Sequence, residues 1–278
     1  MLITGKTLLI PHIGYPTSSF KAPMIYNPYF EDAGIDAVVV PMGVPAGDFD
    51  SAMPAILKFT NFHGALITMP HKVRIVELMD EVTTTVKIAG SCNAVRREAD
   101  GRLVGDMFDG EGFVRGVMRK GQPIAGKRVL VVGSGGVGCS IAASLAKAGA
   151  GELALYDVTT ASMEALAGRL RTHYPQLVVR TGSNDPDGYD IVVNATPLGM
   201  NPGDPMPMDV ARIAPGTFVG EVVMKSEMTA FLQAATQRGC RYQVGIDMLY
   251  EMIPAYIEFF GFPTTTPENL RRLAKVQY

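Results

Sequence analysis

Residues Lys127–Asp157, KRVLVVGSGGVGCSIAASLAKAGAGELALYD, decide the fold. Arg128–Val132 is a short β-branched run that stops at glycine, the composition of a parallel strand buried on both faces. Gly133, Gly135 and Gly138 fill the three positions of G-x-G-x-x-G, where a chain turns tightly, approaches a pyrophosphate and packs a helix close to its strand. Ile141, Leu145 and Ala148 continue at helical spacing, and Gly149 supplies a C-terminal stop. A second strand, Glu152–Tyr156, closes on Asp157, about 20 residues past the glycines, where a ribose-binding acid belongs. A glycine triplet alone is common. Triplet, preceding strand, following helix and terminal acid together predict a dinucleotide site built from Gly133, Ser134, Gly135, Gly136, Val137, Gly138 and Asp157.

Composition bounds the rest. A chain of 278 residues with 47% hydrophobic content can bury two modest cores, so one or two ordered domains are expected. A net charge of −2 without a polybasic run argues against nucleic acid and anionic membrane surfaces as partners. No basic leader or membrane-length apolar run is visible, which makes the cytoplasm the expected location. The three cysteines are widely spaced and the four histidines lack ligand spacing, so neither a disulfide framework nor a metal site is expected.

Outward from the glycine loop, the first hundred residues alternate strands (Thr7–Ile13, Ala37–Pro41, Gly64–Thr68) with helices (Met24–Ala33, Ser51–Phe59, Val73–Met79), a small α/β unit of its own. A boundary near Asp106–Asp109 precedes a helix over Phe113–Arg119. Beyond Asp157, Thr159 or Thr160 can cap a helix running to Leu170. Strands at Leu177–Arg180, Asp190–Val193, Thr217–Val223 and Arg241–Val244, with a helix at Met228–Arg238, complete a doubly wound parallel sheet. Ile246–Phe260 and Glu268–Val276 are helical and have no place in that sheet. The expected fold is therefore two-lobed α/β: residues 1–108 form a substrate and catalytic domain, with the C-terminal helices 247–278 packing back on it, and residues 109–246 form a Rossmann-type dinucleotide domain.

Five segments then carry a family resemblance: Ile67-Thr68-Met69-Pro70-His71-Lys72; Ala89-Gly90-Ser91-Cys92-Asn93-Ala94-Val95; Gly105-Asp106-Met107-Phe108-Asp109-Gly110; the glycine loop; and Asn194–Met200. In this order they resemble the shikimate dehydrogenase family over nearly the whole chain. The resemblance implies an oxidoreductase in which Lys72, oriented by Asp109, exchanges the proton of a secondary alcohol while a nicotinamide takes the hydride. It also implies that Thr68 and Asn93 contact substrate hydroxyls, and that Asn194, Thr196, Val222 and Gly245 lie along the cofactor.

The departures are specific. Phe20 and Ala22 stand where the family carries two serines that hold the substrate carboxylate; Met224 replaces a tyrosine and Met252 a glutamine of the same pocket, and Leu66 replaces an asparagine before Thr68. Apolar groups cannot satisfy a buried carboxylate. The carboxylate end therefore reads as rebuilt, with Thr17, Ser18, Ser19 and Lys21 near enough to compensate and packing as the competing explanation of the methionines. After the second strand the family's NADP-preferring members carry an arginine, whereas this chain has Tyr156-Asp157-Val158, so NAD is expected ahead of NADP. The expected reaction is oxidation of shikimate, quinate or a related cyclic hydroxy acid by a monomer or homodimer. The alternatives are a cyclic polyol lacking a carboxylate, and a dinucleotide-binding module without catalysis.

Overall fold

The computed structural model describes residues 2–276, and backbone contacts divide the chain into two units, residues 1–108 with 253–278, and residues 109–252. The sequence placed the return to the first unit at 247; the division falls at Ile253, inside the helix Gly245–Phe259.

The first unit is a mixed six-stranded sheet. Its strands are β1 (Leu8–Gly14), β2 (Ala37–Gly43), β3 (Gly64–Ile67), β4 (Glu81–Val82), β5 (Ala94–Arg97) and β6 (Leu103–Asp106), in the order β2-β1-β3-β5-β6-β4. β1 runs parallel to β2 and β3, whereas β5 is antiparallel to both β3 and β6. Helices α1 (Pro23–Asp32), α2 (Phe49–Ile56) and α3 (Thr84–Ala89) connect them. α3 begins where the Thr83 hydroxyl accepts the Val86 N–H and ends at Gly90, whose φ of 69° is the left-handed stop that a Cβ would disfavour. Val73–Met79 is a short 3-10 segment, Arg74–Leu78, where an α-helix was expected. The C-terminal segment returns to this unit as an aromatic plug: the Tyr256 ring meets Tyr26 and Phe108 edge-on, and Phe259 meets Phe108. Such rings supply much of a small core's apolar burial.

The second unit starts with α4 (Asp109–Arg119) and holds a wholly parallel sheet: β7 (Arg128–Val132), β8 (Glu152–Tyr156), β9 (Val178–Thr181), β10 (Ile191–Asn194), β11 (Phe218–Glu221) and β12 (Arg241–Gln243). The order β12-β11-β10-β7-β8-β9 reverses between β7 and β10, which makes their C-terminal ends the topological switch point where ligands bind doubly wound sheets. Helices α5 (Gly136–Lys147), α6 (Thr160–His173), α7 (Ala230–Gln237) and α8 (Gly245–Phe259) belong to the crossovers and the exit, and α9 (Pro267–Leu273) lies in the first unit. β7 and β10 are buried along almost their full lengths, as their unbroken apolar runs require. α4 and α5 approach so closely that a Cβ on Gly110 would lie 2.0 Å from the Ser140 carbonyl oxygen, while the Gly110 N–H donates to the Ser140 hydroxyl at 2.8 Å.

Candidate active site

In the second unit the glycine loop leaves β7 and enters α5 at the switch point. Gly133 turns with φ 109° beneath the backbone of Ala195, where a Cβ would sit 2.7 Å from the Ala195 carbonyl. A Cβ on Gly138 would lie 2.0 Å from the Gly133 carbonyl oxygen, while Gly135 and Gly136 have open space where a Cβ would point. The start of α5 therefore offers free backbone N–H groups and a positive helix end to an approaching phosphate. Ser134 adds a buried hydroxyl without a partner. Open glycines, helix start and orphaned hydroxyl fit a dinucleotide pyrophosphate, with Val137 in the first turn of the helix.

Asp157, the acid expected at the ribose, also ties two local turns together. Its Oδ2 accepts the Ser134 N–H at 2.6 Å and its Oδ1 the Thr159 N–H at 2.7 Å, so the carboxylate ties the glycine loop to the start of α6. Thr159 is the N-cap of α6, but its hydroxyl makes no capping bond.

Asn194 ends β10 fully buried and organises the neighbouring loop. Its Oδ1 accepts the Thr196 N–H and hydroxyl at 3.1 and 2.6 Å, and its Nδ2 donates to Leu198 O and to Glu221 Oε1 at 3.0 and 2.8 Å. The other Glu221 oxygen accepts the Thr229 hydroxyl, and Thr229 caps α7. Burial holds the Glu221 carboxyl above the usual carboxylate range. Sequence reading missed Glu221 and Thr229, because nothing local to either position announces a buried polar chain. Val222 donates its N–H to Asn194 O at 3.3 Å, and Gly245 packs so tightly on the Val222–Val223 peptide that a Cβ would lie 2.2 Å from the Val223 carbonyl oxygen. Met224 is 53% exposed, so it is not the core filler that competed with a pocket role. Met252 does pack: its Cβ lies 2.6 Å from the place a Cβ would take on Gly112 of α4. Asp109, the first residue of α4, is buried.

In the first unit the Thr68–Lys72 turn follows β3. Buried His71 meets Val44 O at 2.6 Å, and the Lys72 carbonyl accepts the Cys92 N–H at 2.7 Å; these two bonds fix the backbone on either side of the Lys72 side chain, which remains part-exposed. Thr68 donates its N–H to Ile13 O at 2.9 Å, beside Gly14 at the end of β1. Asn93 is buried, with its Oδ1 accepting the Phe108 N–H at 2.9 Å and its backbone joined to Ile67 and Asp106. Thr68 and Lys72 thus follow the C-terminal end of β3, beside Asn93 at the N-terminal end of the antiparallel β5. Phe20 is brought to the same place, its ring tip 3.1 Å from where a Gly14 Cβ would lie. Ala22 opens α1, its carbonyl accepting the Ile25 and Tyr26 N–H groups. Among the described residues there is no cluster of His, Cys, Asp or Glu fit to hold a metal, and no helix is long and apolar enough to cross a membrane.

A parallel sheet of this order, with a glycine loop at its switch point, has the form of a dinucleotide-binding α/β domain. Residues 12–95 match the shikimate dehydrogenase substrate binding domain family, and residues 115–169 match the ThiF family. A protein named Shikimate dehydrogenase (NADP(+)) from Rubrobacter xylanophilus is 34% identical to this chain and 93% of each chain is covered. One of the same name from Moorella thermoacetica is 36% identical, with 93% of this chain and 90% of its own covered. The fold superimposes on shikimate 5-dehydrogenase from Listeria monocytogenes, solved with shikimate and NAD, with a TM-score of 0.90 at 24% identity over 98% of this chain and 97% of the other. The chain belongs to the shikimate dehydrogenase family and is an NAD(P)-dependent oxidoreductase of the shikimate and quinate type. The carboxylate-free polyol and the non-catalytic module are not favoured. The expectation of NAD is corrected by the same relatives, which are named for NADP(+). Asp157 holds the glycine loop and the start of α6 through its two oxygens, a structural role that the position of an acid at the strand end does not distinguish from a ribose contact.

Proposed function

We propose that the protein interconverts shikimate and its 3-dehydro acid with NADP. The observation that carries this reading is the full-length identity of about a third to proteins named Shikimate dehydrogenase (NADP(+)), with Lys72, Asp109, Asn93 and Thr68 all in their motifs. The bound nicotinamide supplies the hydride acceptor. Lys72 receives the hydroxyl proton as the carbon–hydrogen bond breaks and returns it in the reverse direction, and Asp109 orients the ammonium. Asn93, its Oδ1 committed to Phe108, presents its amide in one orientation, and Thr68 adds a hydroxyl for the ring hydroxyls of the substrate. Asn194 and Thr196 hold the loop beside the glycine turn, with Val222 and Gly245 shaping the adjoining wall. The test is NADPH formation from NADP with shikimate, and with quinate for comparison. Turnover with shikimate supports the reading, and no turnover with either acid removes it.

A further inference from the structure

His12 is the one residue of β1, LLIPHIG, with an ionisable side chain, and the family motifs give it no role. In register it stands beside Pro41 of β2 and Leu66 of β3, neighbours on the same face of the sheet that offer its ring no polar side-chain atom. Its imidazole is stacked on Phe20, centroids 4.0 Å apart and planes at 25°. The tip of that Phe20 ring and the Thr68 methyl converge on Gly14, where an added Cβ would sit 3.1 and 2.4 Å from them. His12 therefore belongs to the same group of side chains as Thr68. The charge of Lys72 also reaches it: burial first, then Lys72, moves His12 down from the ordinary 6.5 to about 4, so the ring is neutral at neutral pH.

A neutral imidazole has one N–H donor and one acceptor. Nδ1 of His12 is enclosed and has no hydrogen-bond partner, while the residue as a whole is only part-buried. An enclosed orphan donor is rarer in proteins than an enclosed orphan acceptor, which puts the proton on Nε2 and leaves that N–H for a partner from outside the chain. We propose that His12 is a substrate-binding residue whose Nε2–H donates a hydrogen bond to an oxygen of the bound hydroxy acid, with the ring held in place by Phe20. Phe20 is then a positioning residue, and the loss of a hydroxyl at position 20 is matched by a new donor stacked against it.

The proposal rests on the shikimate reading, so the unmodified protein is assayed first. Absence of turnover with shikimate would remove that reading, whereas the comparison below addresses His12 alone. His12→Leu deletes the donor and His12→Gln returns an N–H at nearly the same reach. With shikimate, His12→Leu should raise KM about tenfold or more, leave kcat within about threefold and leave the KM for NADP unchanged, and His12→Gln should recover most of the loss. Repeating the series with a cyclic polyol that lacks the carboxyl group identifies the oxygen: a penalty that persists marks a hydroxyl partner, and a penalty confined to the acid marks the carboxylate. Equal shikimate KM values for folded His12→Leu and the unmodified protein would overturn the proposal, as would a His12→Gln variant no better than His12→Leu.

Discussion

The Ser134 N–H donates to the Asp157 carboxylate at 2.6 Å, tying the second residue of the glycine loop to the residue that follows β8. The second carboxylate oxygen holds Thr159 N–H at the start of α6. One side chain thus fixes two turns at the edge of the dinucleotide site.

Asp157→Ala should therefore act first on stability. Two backbone N–H groups lose a charged acceptor, a loss of about 1–3 kcal/mol. Urea unfolding should show a lower midpoint with an unchanged slope. An unchanged midpoint would show that water replaces the carboxylate at no cost.

Lys72 is the proposed proton-transfer group, and its turn is fixed through His71 and Cys92. Lys72→Ala should lower kcat with shikimate by a factor of about 10² to 10⁴ while NADP binding stays nearly the same. Near-normal turnover in that variant would assign the proton transfer elsewhere.

Acid should weaken the fold through His12. In the unfolded chain this group titrates near 6.5 and in the folded protein at about 4, so both states are neutral above that window and only the unfolded state takes up a proton within it. Stability is lost as pH falls from about 6.5 to about 4, by on the order of 3 kcal/mol at roughly 1.4 kcal/mol per unit. The stability of His12→Leu relative to the unmodified protein should rise across that interval, measured by denaturant unfolding at each pH. A difference that does not change with pH would show that the ring gains its proton freely in the fold.

Met224 is exposed after β11, so enlarging it costs the core nothing. Met224→Tyr, which restores the family's phenol, should lower the shikimate KM about tenfold with a melting temperature close to that of the unmodified protein. If KM does not move, position 224 is not part of the carboxylate end.

The two central strands were legible because residues 129–132 and 191–193 are unbroken apolar, β-branched-rich runs, the pattern of strands covered on both faces. The β5–β6 hairpin was not. Ala94–Arg97 ends in two arginines and has no alternation strong enough to mark a strand; its pairing with β3 and β6 makes it one. The glycine loop could be found from spacing, since backbone approach restricts the residue types allowed, whereas the Lys72 turn stood out through its resemblance to the family's motif. Asp157 shows where spacing stops: sequence places the acid at the strand end but does not say that Ser134 and Thr159 use both of its oxygens. His12 is harder still, because its significance depends on Phe20 and Lys72, which come from other parts of the chain.

The most direct measurement is the conversion of shikimate by the unmodified protein with NADP, following NADPH by absorbance and the organic product by chromatography. The account predicts NADPH and the 3-dehydro acid in equal amounts, with the reverse reaction consuming NADPH when that acid is supplied. Protein that is folded and binds NADP, yet forms no NADPH from shikimate or quinate, would contradict it.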